Sequence, residues 1–168
     1  MSLHVGSIFD VRTRLVPNIR LACRCEIFAK ITLCFANSDL DGNAVLVCLA
    51  HLLNHSSRLQ DLCLAGRATV HPSNRINLEK FRRALSSNLS LESLRLYGAF
   101  PGLLPMALCP ALRVNRTMTR LEIFRLASYS HASLLVEAVQ NNTSLCSVNV
   151  WDGTMGLPSP LQERNLRY

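Results

Sequence analysis

Apolar residues recur along this chain in one phrase, L-x-x-L-x-L. Its members are Phe28/Ile31/Leu33, Leu59/Leu62/Leu64, Leu91/Leu94/Leu96, Met118/Leu121/Ile123 and Leu145/Val148/Val150. All fifteen positions are apolar in a chain that is 49% apolar overall, which chance does not produce. The first members lie 31, 32, 27 and 27 residues apart, and a period of that size marks stacked repeats. The last two members of each phrase alternate with polar residues, as a short strand does. Ahead of the third, fourth and fifth phrases the spacing changes to three and four: Leu78, Phe81, Ala84 and Leu85; then Leu108, Ala111 and Leu112; then Leu135, Ala138 and Val139. That spacing predicts helices with one apolar face. Helix and strand alternating in one direction give an α/β fold: a right-handed solenoid of about five strand-helix repeats, with a parallel sheet on the concave face and helices outside.

Three places before each phrase stand Cys25, Ser56, Asn88, Asn115 and Asn142. Asn tolerates the left-handed backbone that often closes a helix, so these positions are expected at helix C-termini in that conformation. From Ile31 to Leu53 the chain reads ITLCFANSDLDGNAVLVCLAHLL, with an Asn37-x-x-Leu40-Asp41-Gly42 turn between strand and helix. This unit, with the recurring phrase, resembles the leucine-rich repeats of the ribonuclease-inhibitor type. No Asn follows Leu64, Leu96, Ile123 or Val150 in the corresponding place, so the buried asparagine that the resemblance implies falls at Asn37 alone. The resemblance implies a fold more than a function. Its members include inhibitors, actin-capping proteins, GTPase activators and immune sensors.

The 168 residues suit one domain, with the repeats over 25–151. Residues 1–24 carry Arg12, Arg14, Arg20 and Arg24 but no strand phrase, and read as a basic segment or partial cap built on Leu15, Ile19, Leu21 and Ala22. Residues 152–168, with Gly153, Gly156, Pro158 and Pro160, form an irregular tail. Either the tail folds back as a cap or the chain is a piece of a longer array.

Candidate chemistry changes the picture little. Seven scattered cysteines, an odd number, read as thiols of a reducing compartment, and no leader or membrane-spanning run is apparent; a cytoplasmic protein is expected. Five N-x-[ST] sequons start at Asn54, Asn88, Asn115, Asn141 and Asn142, most of them products of the repeat's own turn. Cys48, His51 and His55 share one helical side, but no second ligand cluster completes a zinc site, so no metal or cofactor is expected. No nucleophile elbow, phosphate loop or carboxylate pair occurs, and Cys63, placed on the sheet's open face, lacks an activating neighbour. The net charge of +7, from 16 Arg and 2 Lys, suits anionic partners such as RNA. Without interleaved aromatic motifs it reads first as a solvated outer surface.

The reading that remains is a non-catalytic protein-recognition module, monomeric. The alternative is a fragment of a larger sensor, ubiquitin-ligase adaptor or GTPase-activating protein. In each phrase the leucines point inward, so three columns project from the open face: Lys30, Asp61, Ser93, Arg120, Ser147; Thr32, Cys63, Arg95, Glu122, Asn149; and Cys34, Ala65, Tyr97, Phe124, Trp151. At 6% aromatic content the third column would hold about 0.3 aromatics by chance, yet it holds three in succession, including the only Trp. The expected partner site is therefore Tyr97, Phe124 and Trp151 with Arg95, Glu122 and Arg120.

Overall fold

The computed structural model describes residues 2–5, 29–35, 42–67, 75–99, 103–124 and 129–151. Its sheet has six parallel strands in chain order: β1 (Ser2–Val5), β2 (Lys30–Phe35), β3 (Asp61–Arg67), β4 (Ser93–Ala99), β5 (Arg120–Phe124) and β6 (Ser147–Trp151). The helices are α1 (Gly42–His55), α2 (Arg75–Ser87), α3 (Cys109–Leu112) and α4 (Tyr129–Gln140). Each of the three columns pairs in the register its sequence spacing predicts: Lys30 opposite Asp61, Arg95 opposite Glu122, Phe124 opposite Trp151. Register holds because a slip of one residue would turn every leucine of a strand outward.

The inward leucines of β2 to β6 meet Leu46, Leu49, Leu52 and Leu53 of α1, Leu78, Phe81, Ala84 and Leu85 of α2, and Leu135, Ala138 and Val139 of α4 in one buried cluster. Each fully buried Leu contributes about 1.5–3 kcal/mol. The helices thus cover one face of the sheet and leave the other to the three columns. His51 is half-buried and His55 exposed, their rings 4.3 Å apart on α1, as expected for residues off the leucine side.

At the mouth of each strand one carbonyl accepts two amides of the next unit. Ala29 O takes Gln60 N and Asp61 N, Gln60 O takes Glu92 N and Ser93 N, Glu92 O takes Thr119 N and Arg120 N, and Thr119 O takes Cys146 N and Ser147 N, all at 2.8–3.0 Å. Beside this clasp runs a ladder of buried side-chain amides. Asn88 Nδ2 donates to Leu53 O at 2.8 Å; Asn115 Nδ2 donates to Leu85 O and Asn88 O at 2.8 and 3.2 Å; Asn142 Nδ2 donates to Leu112 O and Asn115 O at 2.5 and 2.8 Å. Their Oδ1 atoms accept from the backbone N–H groups of Leu91, Met118 and Leu145, the first apolar residue of each phrase. These asparagines follow the helices as expected, but what they supply is a side chain that ties one unit's helix end to the next unit's strand. The repeat therefore has a buried asparagine ladder on the helix-to-strand turn; Asn37 lies outside the described residues.

Three features depart from the sequence pattern. Residues 2–5 form a strand parallel to β2, with Leu3 opposite Ile31 and Val5 opposite Leu33. The helix before β5 is interrupted: a π-helical turn over Leu104–Leu108 precedes the four-residue α3. Pro105 and Pro110 sit in that stretch, and a ring without an N–H disrupts regular i-to-i−4 bonding. Gly66 and Gly98, paired across β3 and β4, have φ of 129° and 137°. A Cβ on Gly98 would stand 1.7 Å from Gly66 O, so only glycine fits where these strands end.

Candidate functional site

The open face alternates in exposure with the buried face, as a half-covered sheet requires. In its third column the rings of Tyr97, Phe124 and Trp151 are half-buried and stack on one another. Tyr97 and Phe124 have centroids 4.3 Å apart with planes at 28°; Phe124 and Trp151 are 4.1 Å apart at 9°. The cause is the parallel register. Strands about 4.8 Å apart present equivalent side chains at nearly the spacing of stacked rings.

Charged residues brace this stack. Arg95 reaches back one strand and one column to Asp61, donating from Nη2 to Oδ2 at 2.8 Å and to Oδ1 at 2.9 Å, with Nε 3.2 Å from Oδ1. The Tyr97 hydroxyl donates to Glu122 Oε2 at 3.2 Å. Burial, then the charge of Glu122, pushes the Tyr97 hydroxyl above its ordinary pKa, with Arg95 acting the other way. The pairings commit Arg95 to Asp61 and Glu122 to Tyr97, while the three rings stay half-exposed.

Of the residues expected at the site, Tyr97, Phe124, Trp151, Arg95 and Glu122 come together. Arg120 stands apart, exposed at the start of β5 in the first column. Arg125, next in the chain after Phe124, lies outside the described residues, as does the tail from 152. Asp61 was missed as a member of the network, since its tie to Arg95 joins residues 34 apart in sequence. Cys63 corrects an expectation: although it lies in the second column, it is only 6% exposed, between Thr32 and Arg95 in the ladder. A buried thiol there is not a reactive one. Cys48 and Cys109 are also buried and Cys146 is exposed, and burial pushes the Cys109 thiol up to about 11.

No group of three metal-binding side chains occurs among the described residues. No helix among them is long and apolar enough to cross a membrane. Three of the five sequons begin at the ladder asparagines, which are at most 7% exposed and donate their amides inward. Thr117 Oγ1 donates to Asn88 O and Ser90 Oγ to Ser56 O, so the sequon hydroxyls there serve the turn too. Asn54 and Asn141 are exposed.

Among solved structures the chain is similar to the leiomodin-1 actin-binding site 2 domain, with a TM-score of 0.57 and 21% identity, covering 89% of this chain and 82% of that one. It is also similar to the tropomodulin C-terminal domain of Caenorhabditis elegans, with a TM-score of 0.54 and 15% identity, covering 83% and 84%. The fold is a leucine-rich-repeat solenoid. No family model matches the chain, and no curated protein matches it. At these identities the likeness concerns the solenoid's fold, and the site rests on the geometry above.

Proposed function

We propose that this solenoid is a non-catalytic recognition module that binds a protein partner on the open face of its sheet. Tyr97, Phe124 and Trp151 form the centre, with Arg95 and Glu122 beside them and Arg120 farther along the face in the first column. The observation that carries the reading is the stack itself: three half-exposed large rings at 4.1–4.3 Å spacing, on strands rather than loops. Rings already held by one another lose little side-chain freedom on binding, and aromatic anchors with charged rims dominate protein interfaces. The similar leiomodin-1 domain is named as an actin-binding site, which supports a protein as the class of partner. We assign the repeats to the ribonuclease-inhibitor type, on strand-helix units of 27–32 residues, and place the protein in the cytoplasm as a monomer.

The test is an affinity capture in parallel with two baits, the native chain and the Tyr97→Ala/Trp151→Ala double variant, read by quantitative mass spectrometry. A partner enriched by the native chain and lost by the folded double variant supports the site. Equal capture by both baits removes it.

A further inference from the structure

The solenoid's outer surface carries a second feature, on the opposite side of the sheet from the rings. α2 packs more fully against α1 than against either part of the segment that follows it, a π-helical turn and only four α-helical residues. The shortfall leaves a groove of about 660 Å³ along the first half of α2. Its apolar side is Ile76, Leu78 and Met106, and Arg75, Lys80 and Arg83 stand around it. Ile76 is 73% exposed on α2, whose inner face is already filled by Leu78, Phe81, Ala84 and Leu85, and Met106, on the π-helical turn, is 37% exposed.

Charge gives the groove a sign. Its acidic lining residue, Glu79, is already engaged: Arg82 donates to both of its oxygens at 2.6 and 2.7 Å, and Arg83 Nε donates at 2.8 Å. Those bonds, that from Arg82 foremost, hold the Glu79 carboxyl down at about 2. Arg75 and Lys80 enter none of the ion pairs found among the described residues. Three lining cations, Arg75, Lys80 and Arg83, against the one carboxylate of Glu79 leave the groove net positive.

We propose that this groove docks an acidic amphipathic peptide segment of a partner protein, its apolar side chains against Ile76 and Met106 and its carboxylates toward Arg75 and Lys80. Such a segment matches both properties at once, as helices laid into grooves do. A nucleic acid would match the charge but find no aromatic side chain in the lining for its bases. A flat lipid surface would not enter a groove.

The probe is a fluorescein-labelled peptide with Leu at helical spacing and Glu on the flanking positions, titrated by anisotropy against the full chain. A Leu/Lys peptide, single-stranded RNA and phosphatidylserine vesicles serve as the other arms. Saturable binding of the Glu peptide is expected, weakening about tenfold in high salt and about tenfold with Arg75→Glu/Lys80→Glu. Ile76→Ser should weaken it about fivefold, while Trp151→Ala leaves it unchanged, which separates this groove from the ring face. Both groove variants change exposed residues, and circular dichroism checks their fold. No saturable binding, equal binding of the Lys peptide, or tighter binding of RNA or vesicles that Ile76→Ser does not affect overturns the proposal.

Discussion

Replacing Asn115 by Ala tests the ladder at its middle rung. The residue is 1% exposed, and its amide serves four backbone groups: it donates to Leu85 O and Asn88 O, and accepts from Thr117 N at 3.0 Å and Met118 N at 2.8 Å. Asn88 O keeps a donor in Thr117 Oγ1 at 2.9 Å, and Thr117 N is only partly buried. The loss therefore falls on the Leu85 carbonyl and the Met118 N–H. Each buried polar group left without a partner costs about 1–3 kcal/mol, so Asn115→Ala should destabilise the solenoid by about 2–5 kcal/mol. Asn141→Ala is the control: Asn141 is exposed and donates only to Glu137 O at 2.8 Å among the bonds found, so its loss should cost less than about 0.5 kcal/mol. Urea unfolding followed by circular dichroism measures both. Equal midpoints for the two variants would refute the ladder's structural role.

Three further outcomes follow from particular residues. Gly98→Ala should destabilise by about 3 kcal/mol or more, since alanine is strained at a φ of 137° and its Cβ meets Gly66 O; a melting temperature unchanged from the native chain would contradict that geometry. The Glu79 carboxyl, lowered from 4.5 to about 2, gives a contribution that is present above its unfolded value and lost as pH falls through the folded one; a carboxyl NMR titration should find it ionised at pH 3.5 and protonated only near 2, and a midpoint at 4.5 would show that Arg82 and Arg83 do not hold it. Among the described thiols only Cys146 is exposed, so brief maleimide labelling mapped by mass spectrometry should mark it well ahead of Cys48, Cys63 and Cys109; early labelling of Cys63 would mean the open face is looser than its 6% exposure implies.

The strands were legible because their signal is short-range: period two inside a fixed phrase sets both face and register, and the aromatic column followed by counting. The ladder was only half legible. Asn88, Asn115 and Asn142 stood out at the turns, yet they were read for backbone conformation, whereas their side chains act between units 27 to 35 residues apart. The recurring run of Asn, any residue, Ser or Thr, then Leu or Met was the signal that could have shown it. The broken helix before β5 was announced by Pro105 and Pro110 but masked by the helical spacing of Leu108, Ala111 and Leu112. β1 had no phrase to find, and its place comes from backbone pairing with β2. Cys63 looked open because alternation assigns a face, not an exposure; the Arg95–Asp61 bridge beside it is a long-range fact.

The central claim is that the ring column is where a partner binds. It is tested most directly by calorimetric titration of the captured partner into the native chain and into Trp151→Ala, with the melting temperature of each measured alongside. Truncating an anchor ring should weaken binding by about 2 kcal/mol, about thirtyfold in Kd, while the melting temperature stays close to native. The same Kd for both proteins would contradict the account.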